Sequence, residues 1–114
     1  MKQIILDTNF ILTCVKQKID FFDKLELDYK IIIPKQVIQE LKRIKHPQKE
    51  ITLKILSKKK FSKIDLGVNY VDKGLTRYGK AHPSTIIATL DRKLKKKIPN
   101  KKMVIRGRKK FEII

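Results

Sequence analysis

The 114-residue sequence has a single cysteine and no tryptophan, and it has few acids, with 11 Asp and Glu residues against 29 Lys and Arg. Cys14 alone can form neither an intrachain disulfide nor a cysteine-based zinc site, which favours a reducing cytoplasm. No apolar run approaches the roughly 18 residues of a membrane span. Asp7 interrupts the first apolar stretch, so no secretory signal peptide is expected. We therefore predict a cytoplasmic protein without a membrane-spanning segment.

The formal net charge of +18 is the dominant feature of the composition. So many like charges repel one another, and the expected partner is a polyanion, with nucleic acid ahead of an acidic membrane surface. The apolar content of 41% is that of a folded chain. A chain of this length supports one core, and we predict a single domain over residues 1–114.

Short apolar runs alternate with stretches of helical periodicity along the chain. The runs predict strands at residues 3–6, 30–33, 85–89, 103–105 and 111–114. Pro34 suits the start of a helix. The stretch 61–69 is predicted to be a connection without regular structure. A later helix is predicted to begin at Val71 and to end at Gly79. This order predicts an α/β protein with a mostly parallel sheet and helices on both faces.

Four acids occupy positions where such a sheet would bring them together. Asp7 directly follows the first strand and Asp91 follows the strand at 85–89, at the carboxyl ends where ligands bind in this architecture. Glu40 lies at the edge of an apolar helical stripe, and Asp72 lies in the first turn of a helix. Converging carboxylates would repel one another without a cation, so we predict Mg²⁺ or Mn²⁺ and the metal-assisted hydrolysis of phosphodiesters.

Each acid also has a purely structural interpretation. Asp7 and Asp91 are suited to cap the helices that follow them. Glu40 could be a solvated residue at the border of its stripe, and Asp72 could simply favour a helix N-terminus. The hydroxyls of Thr8 and Thr89 could cap or pack, or they could orient ligands beside the two aspartates.

Four segments in this order resemble the acidic motifs of PIN-domain nucleases. They are ILDTNFI at 5–11, VIQEL at 37–41, YVD at 70–72 and IATLDRKLK at 87–95. The resemblance implies a three-layer α/β/α sandwich with catalysis by a divalent metal. It makes Asp7, Glu40, Asp72 and Asp91 the catalytic metal ligands, with Asn9 and Thr89 as supporting or substrate-facing polar groups.

Within that family, the opening and the basic C-terminal part look closest to the small-subunit processome endonuclease and its compact archaeal relatives. This implies cleavage of single-stranded or precursor RNA, with ribosomal RNA processing as the expected role. A homodimer and ribosome-assembly factors stay open as protein partners. One position departs from the subgroup, since Lys73 stands where a second acid usually follows Asp72, and this lowers the expected metal affinity.

Two other functions compete with RNA processing. One is a VapC-type toxin ribonuclease, although such toxins more often carry Ser at the position of Asn9. The other is a PIN fold kept as an RNA-binding or assembly module with little catalysis, which Lys73 favours and the presence of all four acids opposes.

Basic residues are concentrated in the last part of the chain, from Asp91 to Lys110. A solvated basic face is the simple interpretation, but their position beside the acids predicts an RNA track with little sequence discrimination. The predicted RNA-binding residues are Arg92, Lys93, Lys96, Lys97, Arg106, Arg108, Lys109 and Lys110.

Overall fold

The computed structural model describes all residues from 1 to 114. Its strands are β1 (Lys2–Leu6), β2 (Tyr29–Pro34), β3 (Ser62–Ile64), β4 (Ile86–Ala88), β5 (Lys102–Arg106) and β6 (Lys110–Ile113). Its helices are α1 (Thr8–Lys16), α2 (Phe21–Leu25), α3 (Lys35–Arg43), α4 (Lys49–Ser57), α5 (Val71–Ala81) and α6 (Arg92–Lys97). None of these helices is long and apolar enough to cross a membrane.

The six strands form one sheet in the order β3-β2-β1-β4-β5-β6. Strands β1 to β5 run parallel to their neighbours, and only β6 is antiparallel, paired with β5 in a hairpin. The chain first builds the sheet outward from β1 to β3 and then continues on the other side of β1 with β4. Sheets of this kind have a crevice where the direction of building reverses, at the carboxyl ends of the strands. Here that point lies between β1 and β4.

Strand β1 is buried on both faces, as its unbroken apolar run predicts for a parallel sheet. Ile4, Ile5 and Leu6 are each 0% exposed. Helices cover the sheet: α1, α3 and α4 pack against one another, while α5 packs against α6. The sequence-based prediction of an α/β/α sandwich with a mostly parallel sheet is confirmed.

The stretch 61–69 contains a strand that sequence analysis missed. β3 pairs in parallel with β2 at the edge of the sheet, with Ser62 opposite Ile32 and Ile64 opposite Pro34. Three residues are too few to show an alternating pattern, and only one of the three is apolar. Pairing with β2, rather than its own sequence, defines this strand.

The prediction that Gly79 ends a helix is wrong, because α5 continues through it to Ala81. Glycine is needed here for close packing. A Cβ atom at this position would lie 2.7 Å from the Asn100 Oδ1 atom and 2.9 Å from the Ile87 Cδ1 atom. The helix instead ends at His82, just before Pro83, which cannot continue it.

Candidate active site

An acidic cavity of about 440 Å³ lies at the carboxyl ends of β1 and β4. All four acids singled out in the sequence line it, although they are up to 84 positions apart in the chain: Asp7, Glu40, Asp72 and Asp91. Asp7 follows β1, Glu40 comes from α3, Asp72 from the first turn of α5, and Asp91 precedes α6. The parallel sheet and its crossover helices therefore bring these carboxylates to one place.

Asp7 is the most buried of the four acids, with only 7% of its surface exposed. Burial raises the pKa of its carboxyl from 3.8 to about 6, because the charged form loses water. Hydrogen bonds from Thr89 and Thr8 oppose this rise, while the charges of Glu40 and Asp91 add to it. The site therefore holds a carboxylate whose charge is poorly compensated by the protein.

Two polar residues connect the ends of β1 and β4. The Thr89 hydroxyl donates to Asp7 Oδ2 at 2.7 Å and accepts the backbone N–H of Asp91 at 3.1 Å. The side-chain Oδ1 atom of Asn9 accepts the backbone N–H of Leu90 at 3.1 Å. Thr89 thus links the Asp7 carboxylate to the backbone of Asp91, and Asn9 holds the backbone at Leu90.

The predicted helix caps are also present. Asp7 Oδ1 accepts the backbone N–H of Thr8 at 2.8 Å, at the start of α1. Asp91 Oδ1 accepts the backbone N–H groups of Lys93 and Leu94 at the start of α6. Each cap fixes the orientation of its carboxylate, so the capping role and a place in the cavity are compatible.

Asp72 and Glu40 are held less firmly than the two aspartates that cap helices. Asp72 forms an ion pair with Lys97, with 3.2 Å between its Oδ2 and the lysine Nζ, and both side chains are about half exposed. Glu40 makes no hydrogen bond through its carboxylate and no ion pair within 4.0 Å. Asp7 and Asp91 likewise have no cationic partner at that distance. Lys73 is exposed and does not line the cavity.

The donor set of this cavity suits a hard divalent cation, since carboxylate oxygens are the ligands that Mg²⁺ and Mn²⁺ prefer. Thr8 lines the same cavity, and its buried Oγ1 atom has no hydrogen-bond partner within the protein. In the present arrangement no three acidic, histidine or cysteine side chains form a ready-made metal cluster. The residue types and the unpartnered hydroxyl fit a metal site, whereas the carboxylates are not drawn together around one point.

Sequence analysis missed two polar residues that line the cavity, Lys45 and His46. They lie in the turn between α3 and α4, to which sequence analysis assigned no function. The His46 Nδ1 atom accepts the backbone N–H of Gln48 at 3.0 Å. In a neutral imidazole the proton is therefore on Nε2.

The basic residues of the predicted RNA track are exposed on α6 and on the β5–β6 hairpin. Because β5 is parallel to β4, the hairpin turn after Arg106 lies at the same edge of the sheet as the acidic cavity. Two of the eight residues already have acidic partners: Lys97 pairs with Asp72, and Arg106 with Glu112 at 3.1 Å. Arg108 and Lys109 lie in the turn itself, where Gly107 and Lys109 have positive φ angles of 54° and 60°.

The fold and the site define the chain as a doubly wound α/β protein with an acidic cavity at the switch point of its sheet. Comparison with known proteins makes the class specific. Residues 4–110 match the family described as PIN like domain. The chain is 32% identical to Ribonuclease VapC4 of Methanocaldococcus jannaschii, over 99% of this chain and 97% of that protein. It also superimposes on the structure of the PIN domain endonuclease Utp24 with a TM-score of 0.84 at 26% identity, covering 97% of this chain and 90% of the other.

The chain therefore belongs to the PIN-domain family. The family match spans nearly all of the residues discussed above, including the four acids and most of the basic hairpin. The resemblance to PIN-domain nucleases seen in the sequence is confirmed.

Proposed function

We propose that the protein is a divalent-metal-dependent endoribonuclease that cleaves single-stranded or precursor RNA. The observation that carries this proposal is that four carboxylates from separate segments line one cavity, with Asp7 buried at 7% exposure. Burial raises the pKa of Asp7 to about 6, and the charges of Glu40 and Asp91 add to the rise. Asp7, Glu40 and Asp91 have no basic side chain within 4.0 Å that would offset this repulsion. A divalent cation would offset it.

Asp7, Glu40, Asp72 and Asp91 would hold Mg²⁺ or Mn²⁺, which when bound neutralises charge on the scissile phosphate and makes water a better nucleophile. Asp7 and Asp91 are oriented in advance by the helix caps, and Thr89 ties them together. Thr8 lies beside them in the cavity, and its buried hydroxyl has no partner within the protein. Lys45 and His46 line the same cavity, and an ammonium or an imidazole N–H group is suited to contact phosphate oxygens.

The basic residues of α6 and of the β5–β6 hairpin would hold the RNA backbone beside the acids. Their lysine and arginine side chains contact phosphates without reading bases, so affinity should depend strongly on salt. Arg92, Lys93 and Lys96 are exposed and form no ion pair, which supports this role.

Ribosomal precursor RNA is the substrate that we favour, from the sequence resemblance to the processome endonuclease group. The similarity to Ribonuclease VapC4 supports a second candidate, a toxin ribonuclease that an antitoxin neutralises. The two functions predict different phenotypes. A processing enzyme should leave unprocessed ribosomal precursors when it is depleted, whereas a free toxin should stop growth when it is overproduced.

The decisive experiment is cleavage of defined single-stranded and ribosomal precursor RNAs by purified protein with Mg²⁺, with Mn²⁺ and with a chelator. We expect cleavage with either metal and none with the chelator. The Asp7→Asn variant is the first control, since it removes one ligand charge and preserves shape. Full activity of this variant, or cleavage that persists in chelator, would contradict the metal mechanism. RNA binding without cleavage by the unmodified protein would favour the binding-module alternative.

A further inference from the structure

A second groove, of about 530 Å³, adjoins the acidic cavity and shares Glu40, Val71 and Asp72 with it. One wall is a face of α3, whose contributing residues recur at helical spacing: Gln36, Gln39, Glu40 and Arg43. The other wall is the start of α5 with Asn69 and Tyr70, which precede it. None of the roles proposed for the acidic cavity uses the part of this groove beyond the shared residues.

Tyr70 is unusual because its large aromatic side chain is 75% exposed at the rim of this groove. It stacks on no other ring in the protein, and its hydroxyl makes no hydrogen bond. Its neighbour Val71 is buried, at 7% exposure, so the backbone beneath the ring is anchored to the core. An exposed ring on a fixed backbone is a suitable platform for stacking.

The wall that carries Tyr70 is fixed to α3 by Gln36. The Gln36 amide donates to Asp65 Oδ1 at 2.7 Å and its carbonyl oxygen accepts the Leu66 N–H at 3.0 Å. Asp65 Oδ1 also accepts the N–H of Gly67 at 2.8 Å. These contacts hold the segment that leads to Tyr70 against the helix, which sets the position of one wall relative to the other.

Three polar side chains of the groove have no partner within the protein. The amides of Gln39 and Asn69 make no hydrogen bond, and the Arg43 guanidinium is exposed and forms no ion pair. Amides that are free to donate and accept can contact the edge of a nucleobase. A guanidinium is suited to contact a phosphate.

We propose that this groove binds a nucleotide adjacent to the scissile phosphate, with its base stacked on Tyr70 and contacted by Gln39 and Asn69. The proposal rests on the endoribonuclease function proposed above. Because the groove is continuous with the acidic cavity through shared residues, a single strand whose phosphate lies at the acids can place its neighbouring base here. Stacking on aromatic side chains is how proteins commonly hold unpaired bases.

The test uses an RNA with one mapped cleavage site and a series of matched RNAs, each lacking the base at one position near that site. For the intact RNA, Tyr70→Ala should lower kcat/KM roughly tenfold, within the range measured for loss of a base–aromatic stack. For the RNA lacking the stacked base, the same substitution should change kcat/KM less than about twofold. Tyr70→Phe keeps the ring and should restore the difference in kcat/KM between the two RNAs that Tyr70→Ala removes.

Leu27→Ala is the matched control. Leu27 is also a large side chain, 81% exposed, but it lies just before β2, at the amino ends of the parallel strands and away from the acidic cavity. An equal loss by Tyr70→Ala on intact RNA and on every base-deficient RNA would overturn the proposal, because the ring would then act only on structure. Unchanged cleavage of the intact RNA by Tyr70→Ala would overturn it as well.

Failure of this proposal is distinguishable from failure of the nuclease function. If the unmodified protein cleaves no RNA with Mg²⁺ or Mn²⁺, the nuclease proposal fails, and the groove is then tested by equilibrium binding of the same RNAs. In that assay Tyr70→Ala should weaken binding of the intact RNA alone. Equal affinities of the unmodified and Tyr70→Ala proteins for the intact RNA would refute a base-binding groove.

Discussion

The burial of Asp7 makes a prediction that concerns stability as well as catalysis. Its pKa is about 6 in the folded protein and 3.8 in the unfolded chain, mainly because burial disfavours the charged form. Between these two values the folded state binds more protons than the unfolded state, so the free energy of unfolding falls as the pH rises. A difference of about two pKa units lowers the free energy of unfolding by about 3 kcal/mol above pH 7.

Asp7→Asn removes this charge with almost no change of shape. An asparagine carbonyl oxygen can still accept the Thr8 N–H, whereas the Thr89 hydroxyl loses its carboxylate acceptor and must accept from the new amide instead. This hydrogen bond between neutral groups is weaker than the bond to the carboxylate, which offsets about 1 kcal/mol of the gain. In the presence of a chelator we therefore expect the variant to be more stable than the unmodified protein by about 2 kcal/mol at pH 8. Near pH 4 the charge of Asp7 costs only about 0.5 kcal/mol, so the same offset should leave the variant slightly less stable than the unmodified protein.

Urea unfolding between pH 4 and pH 8 in chelator measures this difference directly. Asp28→Asn, which removes an exposed carboxylate outside the site, controls for the change in net charge. Added Mg²⁺ or Mn²⁺ should stabilise the unmodified protein but stabilise Asp7→Asn much less, because binding to the folded state requires the carboxylate. An Asp7→Asn variant that is less stable at pH 8, with no dependence on pH, would refute the reasoning.

Three further predictions follow from the same structure. Asp91→Asn should lose cleavage by orders of magnitude while RNA affinity changes little, since the basic surface is intact; activity and filter-binding assays on one preparation would separate the two. Alanine substitution of four hairpin residues should weaken the binding of unrelated RNAs to the same extent: Arg106, Arg108, Lys109 and Lys110. The slope of the logarithm of the binding constant against the logarithm of the salt concentration should become flatter by up to roughly 0.7 per lost phosphate contact. An unchanged slope would exclude these residues from the RNA track. Gly79→Ala should lower the free energy of unfolding by about 1–3 kcal/mol because its Cβ would overpack Asn100 and Ile87, which thermal unfolding would detect; a stabilised variant would contradict the packing explanation.

The acids could be predicted from the sequence because their positions depend on general properties of parallel sheets. Asp7 and Asp91 each follow a buried strand, and the carboxyl ends of such strands meet at one edge. The contact between Thr89 and Asp7 depends instead on the register of β1 and β4, which pairs Leu6 with Ala88. Strands some 80 residues apart carry no local signal of their register, so this hydrogen bond required the structure.

The features that sequence analysis missed or misjudged have tertiary causes. Pairing with β2 defines β3, and the proximity of Asn100 and Ile87 explains why glycine lies inside α5. His46 reaches the cavity through the conformation of an irregular turn, where hydrophobic periodicity gives no information. The groove beside Tyr70 likewise depends on a long-range contact, between Gln36 on α3 and Asp65.

Three of the four acids already make contacts within the protein, and these contacts bear on how the site would respond to a cation. Asp7 and Asp91 are oriented by backbone N–H groups of α1 and α6 and by Thr89, and all of these contacts can persist when a metal is bound, because each carboxylate oxygen accepts more than one interaction. Asp72 is different, since Lys97 already occupies its Oδ2. A divalent cation at this carboxylate would compete with the ammonium group for the same negative charge. Because Lys97 is also one of the predicted RNA-binding residues, its release from Asp72 would free a positive charge beside the site where the phosphate backbone is expected to lie.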